Sequence, residues 1–177
     1  MTGVSSSAEA TYAGPASSFF EWSYLYNGDH QTAFSTNAPN VFIHGGSGTD
    51  AIQVKTGRNV LDGGLGSNFL VGGDGIDTFF VDARGSGVTW STLVNFHAQD
   101  TITLWGFNPS KGVYSWDESS GAAGPQGATL RADTKGTGQI DASITFAGLS
   151  LSQAKNLQVS TGTQPGGQYL YFSNPGV

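Results

Sequence analysis

The chain has 177 residues, 37 % of them hydrophobic and 11 % charged, with a formal net charge of −6. That length suits about one domain, and 21 aromatic residues are enough for a core. Having no cysteine rules out disulfide scaffolds and thiolate metal sites, seven scattered Lys and Arg leave no basic stripe for nucleic acid or an anionic membrane, and no apolar run reaches membrane-helix length.

The chain opens with small polar residues. Residues 1–18 read as a flexible arm, and Met1 to Ala10 lacks the apolar stretch of a cleavable secretory signal. Residues 19–44 read as an N-terminal cap. There Phe19-Phe20-Glu21-Trp22-Ser23-Tyr24-Leu25-Tyr26 alternates loosely toward Asn27-Gly28, a two-residue hairpin signal. An aromatic hairpin here would cover the open end of the next element.

That element is a repeat. Ten of the 27 glycines lie between Gly45 and Gly75, and four gapless nines follow one another. They are GGSGTDAIQ (45–53), VKTGRNVLD (54–62), GGLGSNFLV (63–71) and GGDGIDTFF (72–80). Position 4 is Gly48, Gly57, Gly66 and Gly75; position 6 is Asp50, Asn59, Asn68 and Asp77; position 8 is Ile52, Leu61, Leu70 and Phe79. The preceding nine, 36–44, keeps only its apolar eighth residue, Ile43. Glycine-rich stretches turn the chain, and the x-apolar-x triplet that follows forms a short strand with one side chain facing inward. Two nines complete a coil, so unit n lies on unit n+2. Ile52 then stacks on Leu70 in one wall, and Leu61 on Phe79 in the other. One buried residue in nine is a thin core, so the turns must contribute to stability.

Such turns aim carbonyl oxygens inward, and position 6 adds a side-chain oxygen. Stacked turns would pair Asp50 with Asn68 and Asn59 with Asp77, with Asp62 and Asp74 nearby. An all-oxygen cage of this kind suits Ca²⁺ better than a softer metal. With one carboxylate and one amide per pair, weak binding of the extracellular type is expected. The alternative is a metal-free glycine-rich solenoid whose aspartates serve the turns.

GGSGTDAIQ and GGDGIDTFF resemble the nonapeptide G-G-x-G-x-D-x-U-x of the repeats-in-toxin (RTX, haemolysin-type) calcium-binding family. The middle units depart from it, with Val54-Lys55 in place of Gly-Gly and Asn at positions 59 and 68. The resemblance implies an all-β fold, a short parallel β-roll (a β-solenoid) over 45–82. The implied calcium ligands are Gly46, Gly48, Asp50, Gly57, Asn59, Gly64, Gly66, Asn68, Gly73, Gly75 and Asp77. It further implies export by type I secretion machinery and folding outside the cell, as part of a larger protein. The stretch 77–107 also resembles the region after the family's last repeat, which adds Asp82 and Asp100 as ligands.

Residues 83–177 read as a C-terminal antiparallel β region with a possible secretion signal. Strands are expected at 101–107 and 113–116, then a loop from Ser119 to Gly127. Residues 128–133 and 141–146 alternate with period two around TKGTGQI, a hairpin signal. Asp133, Lys135, Gly136, Gly138 and Asp141 weakly match a calcium loop, but Lys135 stands where a ligand is wanted. Residues 150–159 read as the one helix, capped by Ser150 or Ser152, and 167–172 as a closing strand.

No catalytic motif emerges around His30, His44 and His97. Asp117 and Glu118 are adjacent, so on a strand they face opposite ways, a poor glycosidase pair. The expected activity is therefore binding without catalysis: a calcium-dependent folding and export module. The alternative is a calcium-stabilised carbohydrate-binding or adhesive module, in which Trp90, Trp105, Tyr114 and Trp116 would stack on polysaccharide. Buried aromatics would argue against that alternative.

Overall fold

The computed structural model describes residues 22–25, 28–120 and 124–176. The first half is a two-walled solenoid. One wall stacks β1 (Trp22–Leu25), β3 (Val41–His44), β5 (Arg58–Leu65), β7 (Ile76–Asp82) and β9 (Thr101–Trp105). The other stacks β2 (Ala33–Ser35), β4 (Ala51–Gln53), β6 (Phe69–Val71) and β8 (Thr89–Val94). All these pairings are parallel. The two walls form a parallel β-roll of about four turns, the fold that the resemblance implies.

The register follows the period. Ile52 pairs with Leu70 and Leu61 with Phe79, each 18 residues apart. The inward column of one wall runs Ile43, Leu61, Phe79, Ile102, and that of the other runs Ile52, Leu70, Leu93, all buried. Each strand contributes one or two such residues because its neighbours alternate outward.

The solenoid extends beyond 45–82 in both directions. On the N-terminal side, β1 and β2 are not a hairpin: they lie in opposite walls, each parallel to the next coil. Asn27 and residues 19–21 lie outside the described residues, as does the arm 1–18. Beyond the last repeat, the spacing stretches from 18 to 23 residues, with Phe79 pairing Ile102 and Leu70 pairing Leu93. The five extra residues fall in the segment between β7 and β8.

The C-terminal half continues both walls. β12 (Ala142–Ala147) adds to β8 in parallel, followed antiparallel by β11 (Gly127–Asp133) and β10 (Val113–Ser120). β14 (Gly167–Ser173) adds antiparallel to β9, and β13 (Gln158–Gln164) to β14. The hairpin read from 128–133 and 141–146 is therefore present, and it grows directly on the solenoid. The expected helix shrinks to α1, Leu151–Lys155, with Ser150 and Gln153 forming a reciprocal capping box. Residues 158–164 are strand because they pair along their whole length with β14. The roll's interior and the C-terminal interior form one apolar cluster. No described helix is long and apolar enough to cross a membrane.

Candidate metal centre

Two columns of stacked turns flank the roll, one at each edge. The first column is built from 45–50 and 63–68, with 28–32 beneath. The second is built from 54–59, 72–77 and 95–100. Stacking requires glycine in the first column at Gly48, where a Cβ would lie 2.5 Å from the His30 carbonyl oxygen of the coil below. It also requires it at Gly66, which adopts a φ of 98° and sits over the Gly48 carbonyl.

The sixth residues form a hydrogen-bonded ladder in each column. In the first, the Thr32 N–H donates to Asp50 Oδ1 at 2.9 Å, and the Asp50 N–H to Asn68 Oδ1 at 2.9 Å. The Asn68 N–H then donates to Ser91 Oγ at 3.3 Å. In the second, the Val41 N–H donates to Asn59 Oδ1 at 3.2 Å, and the Asp77 N–H to Asp100 Oδ1 at 2.8 Å. Asn59 and Asp77 are joined by Asn59 Nδ2 donating to Asp77 Oδ1 at 2.8 Å. The expected pairs, Asp50 with Asn68 and Asn59 with Asp77, are thus neighbours in space. Asp100 continues the second ladder at the stretched spacing.

The other carboxylate oxygens hold their own turns. Gly46 N–H donates to Asp50 Oδ2, Gly73 N–H to Asp77 Oδ2 and His97 N–H to Asp100 Oδ2. Asn68 cannot accept with its amide nitrogen. Gly64 N–H bonds to Asp62 Oδ1 instead, and Asn68 Nδ2 is buried with no partner.

These oxygens are deeply placed. Asp50, Asp77 and Asp100 are 1 %, 0 % and 0 % exposed, and among the described residues no Lys or Arg forms an ion pair with any of them. Burial raises the Asp77 carboxyl above its ordinary range, against hydrogen bonds from Asn59 and Gly73. Burial likewise pushes Asp100 up to about 6. His97 is raised although burial opposes its charge, because the Gly73 carbonyl and Asp100 favour the cation. Among the described residues no three His, Cys, Asp or Glu side chains converge as a metal cluster. A cation here would therefore rest on turn carbonyls and one or two side-chain oxygens. That donor set fits a hard ion.

Asp82, expected as a further ligand, lies on the outer face of β7. It bonds Arg84 in two places, Oδ1 to Nε at 2.9 Å and Oδ2 to Nη2 at 2.6 Å, and the Asp82 bond raises the Arg84 pKa. This ion pair occupies its carboxylate, although its backbone is in register with Leu65 of turn 63–68. Beside it, His44 Nδ1 lies 2.7 Å from Asp62 Oδ2. The Asp62 bond and charge, with Asp82 and Asp50 farther off, outweigh burial and raise the His44 pKa. Asp133 accepts the N–H groups of Gly136, Thr137 and Gly138, which lower its pKa and make it the anchor of the β11–β12 turn.

The aromatics divide. Trp105 is 2 % exposed, stacked on Phe80 and edge-on to Tyr169. Trp116 packs against Phe146 and Phe172. Trp90, at 51 %, faces solvent. Asp117 is tied to Arg131 at 2.8 Å.

Sequence reading did not place Thr32 and Ser91 as rungs of the first ladder, or Asn95 and His97 beside the second, although Ser91 and Asn95 stand where the resembled stretch usually carries acidic residues. Thr32 was within reach: 27–35 keeps Gly28 at position 2 and Phe34 at position 8. The other three lie past the change of spacing, where the period gives no guide.

Residues 44–79 match the family model of the RTX calcium-binding nonapeptide repeat, in four copies. No curated protein and no solved structure matches the chain.

Proposed function

We propose that this RTX β-roll is a folding module gated by calcium, one that winds outside the cell where calcium is plentiful and supports type I secretion of a larger protein. The repeats are of a calcium-binding kind, and the roll they form is the β-roll of that kind. The observation that supports the gating is the buried sixth-position ladder. Asp50, Asp77 and Asp100 bring carboxylates into the stack without a Lys or Arg partner among the described residues.

Calcium, when bound, supplies the positive charge that buried carboxylates otherwise lack. The chain's own residues do the rest. Glycines let successive turns approach, the sixth residues fix the vertical register, and the inward apolar column closes the walls. An ion that binds only the wound state stabilises it by RT ln(1+[L]/Kd) per site. Where calcium is scarce, the thin apolar column and repelling carboxylates favour the unwound chain.

The test is circular dichroism and thermal melting of the full chain in calcium and in excess chelator. A large loss of β signal or melting temperature in chelator is expected. An unchanged spectrum and melting point refutes the reading.

A second reading, a calcium-stabilised module that binds polysaccharide, is favoured by exposed Trp90 and by Tyr114, which is 38 % exposed while its ring packs edge-on to Phe107 and Phe172. Trp105 and Trp116 are committed to packing. Affinity electrophoresis on acidic polysaccharide gels, with Trp90→Ala as control, tests it; absence of retardation removes it. We read the module as non-catalytic: Asp117, half of the one adjacent carboxylate pair considered, is tied to Arg131.

A further inference from the structure

The two turn columns have the same period but not the same chemistry. In the second column, side-chain N–H groups fill the space between turns. Asn59 Nδ2 donates both to Thr56 O at 3.1 Å and to Asp77 Oδ1 at 2.8 Å. One level up, Asn95 Nδ2 reaches Gly72 O at 3.2 Å and Gly73 O at 2.7 Å. His97 Nε2 reaches the same Gly73 O at 2.8 Å. A carbonyl oxygen has two lone pairs, so both on Gly73 are taken. The oxygens that would face a cation face hydrogens instead.

The cationic residues of the repeats fall in the same column. Lys55 and Arg58 belong to turn 54–59, and His97 to turn 95–100. His97 Nδ1 lies 3.3 Å from Asp100 Oδ2. Asp100 therefore has an imidazole of its own column beside its carboxylate.

The first column differs on both counts: its one histidine, His30 in the segment beneath, is exposed and paired with Asp29 at 3.0 Å, and the side-chain donor that reaches a carbonyl of its turns, Thr89 Oγ1 on Gly66 O, lies one level above turn 45–50. Turns 45–50 and 63–68 read Gly-Gly-Ser-Gly-Thr-Asp and Gly-Gly-Leu-Gly-Ser-Asn, with no Lys, Arg or His. Among the described residues no side-chain donor reaches the carbonyls of Gly45, Gly46, Ser47 or Gly48. Asp50 is 1 % exposed there, and among the described residues its carboxylate accepts from the N–H groups of Thr32 and Gly46. The buried, unpartnered Asn68 Nδ2 lies in the same column, against Gly63.

We infer that calcium enters the first column only, with Asp50 as its carboxylate ligand, and that the second column is held shut by Asn59, Asn95 and His97 without metal. This rests on the reading of the roll as a calcium binder, and it narrows that reading to one edge. It makes the roll asymmetric: one edge is sealed by protein groups and joined to the C-terminal β region through Asp100, and the other waits for the ion.

The test uses the full chain and calcium alone. Isothermal titration of the wild type, Asp50→Asn and Asp77→Asn gives affinity and stoichiometry, and melting in chelator reports the fold of each. Asp50→Asn is expected to weaken calcium binding at least tenfold. Asp77→Asn is expected to lower the melting point in chelator while leaving calcium affinity within about twofold. A wild-type crystal grown in calcium should show anomalous density beside turn 45–50 and none between 54–59 and 72–77 or beside Gly73 O; this needs no variant to fold. Calcium density in the second column, or binding lost with Asp77 and kept without Asp50, overturns the inference and leaves the functional reading intact. A wild-type chain that takes up no calcium overturns both.

Discussion

Asn68→Asp separates the calcium account from a purely structural one by the sign of its effect. In the wild type, Asn68 Oδ1 accepts the Asp50 N–H while Nδ2 is buried and unpaired. An unpaired buried donor costs about 1–3 kcal/mol, which the substitution removes. The new carboxylate keeps the Oδ1 bond but lies one ladder spacing, about 5 Å, from the Asp50 carboxylate. At an effective dielectric constant near 20, that repulsion is about 3 kcal/mol. In chelator the variant should therefore be between unchanged and about 2 kcal/mol less stable, a fall in melting temperature of up to roughly 8 °C at this size. In calcium the two carboxylates share one divalent ion, so the repulsion disappears, and each tenfold gain in affinity adds about 1.4 kcal/mol. The gap between melting temperatures in calcium and in chelator should widen by roughly 6 °C or more. Differential scanning calorimetry of both proteins under both conditions measures it. Equal shifts with and without calcium would refute the reasoning, because no ion would then be sensing position 68.

Leu70→Ala removes a fully buried rung between Ile52 and Leu93 and should cost about 2–5 kcal/mol by urea unfolding in calcium; a loss below about 1 kcal/mol would mean that the column is not packed. Gly48→Ala should open the first column, since its Cβ would lie 2.5 Å from the His30 carbonyl, whereas Gly87→Ala meets nothing within 4 Å; calcium titration should separate the two, and equal affinities would contradict the stacking. In chelator, stability should rise as pH falls from 7 to 5. Burial keeps the Asp100 proton in the folded state up to about pH 6, well above its unfolded range, and a raised pKa contributes stability at low pH that is lost as pH rises through the folded value. His97 and His44 are shifted in the same direction, and Asp133, shifted down, titrates below this window. Urea midpoints that are flat or lower at pH 5 would contradict the burial of Asp100.

The spacing of nine by itself determined the coil. Position 8 had to face inward, and two units had to make a turn, because a strand alternates its faces and glycine lets the chain reverse. Ile52 over Leu70 and Asp50 beside Asn68 follow from that arithmetic, and so does the hairpin of 128–133 with 141–146, where both strands alternate cleanly. Long-range pairing decided the rest. The alternation of residues 19–26 toward Asn27-Gly28 suggests a hairpin, yet Trp22–Leu25 and Ala33–Ser35 each pair with the coil that follows, in opposite walls. Residues 158 and 159 read as the end of a helix and are strand because β14 offers a full ladder. Asp82 and Asp100 look alike in sequence; one falls on an outer face beside Arg84 and the other inside a turn column, because the coil between them lengthens by five residues. The difference between the two edges of the roll depends on Asn95 and His97 reaching Gly72 and Gly73 from the next level, a contact across more than twenty residues that no nine-residue window contains.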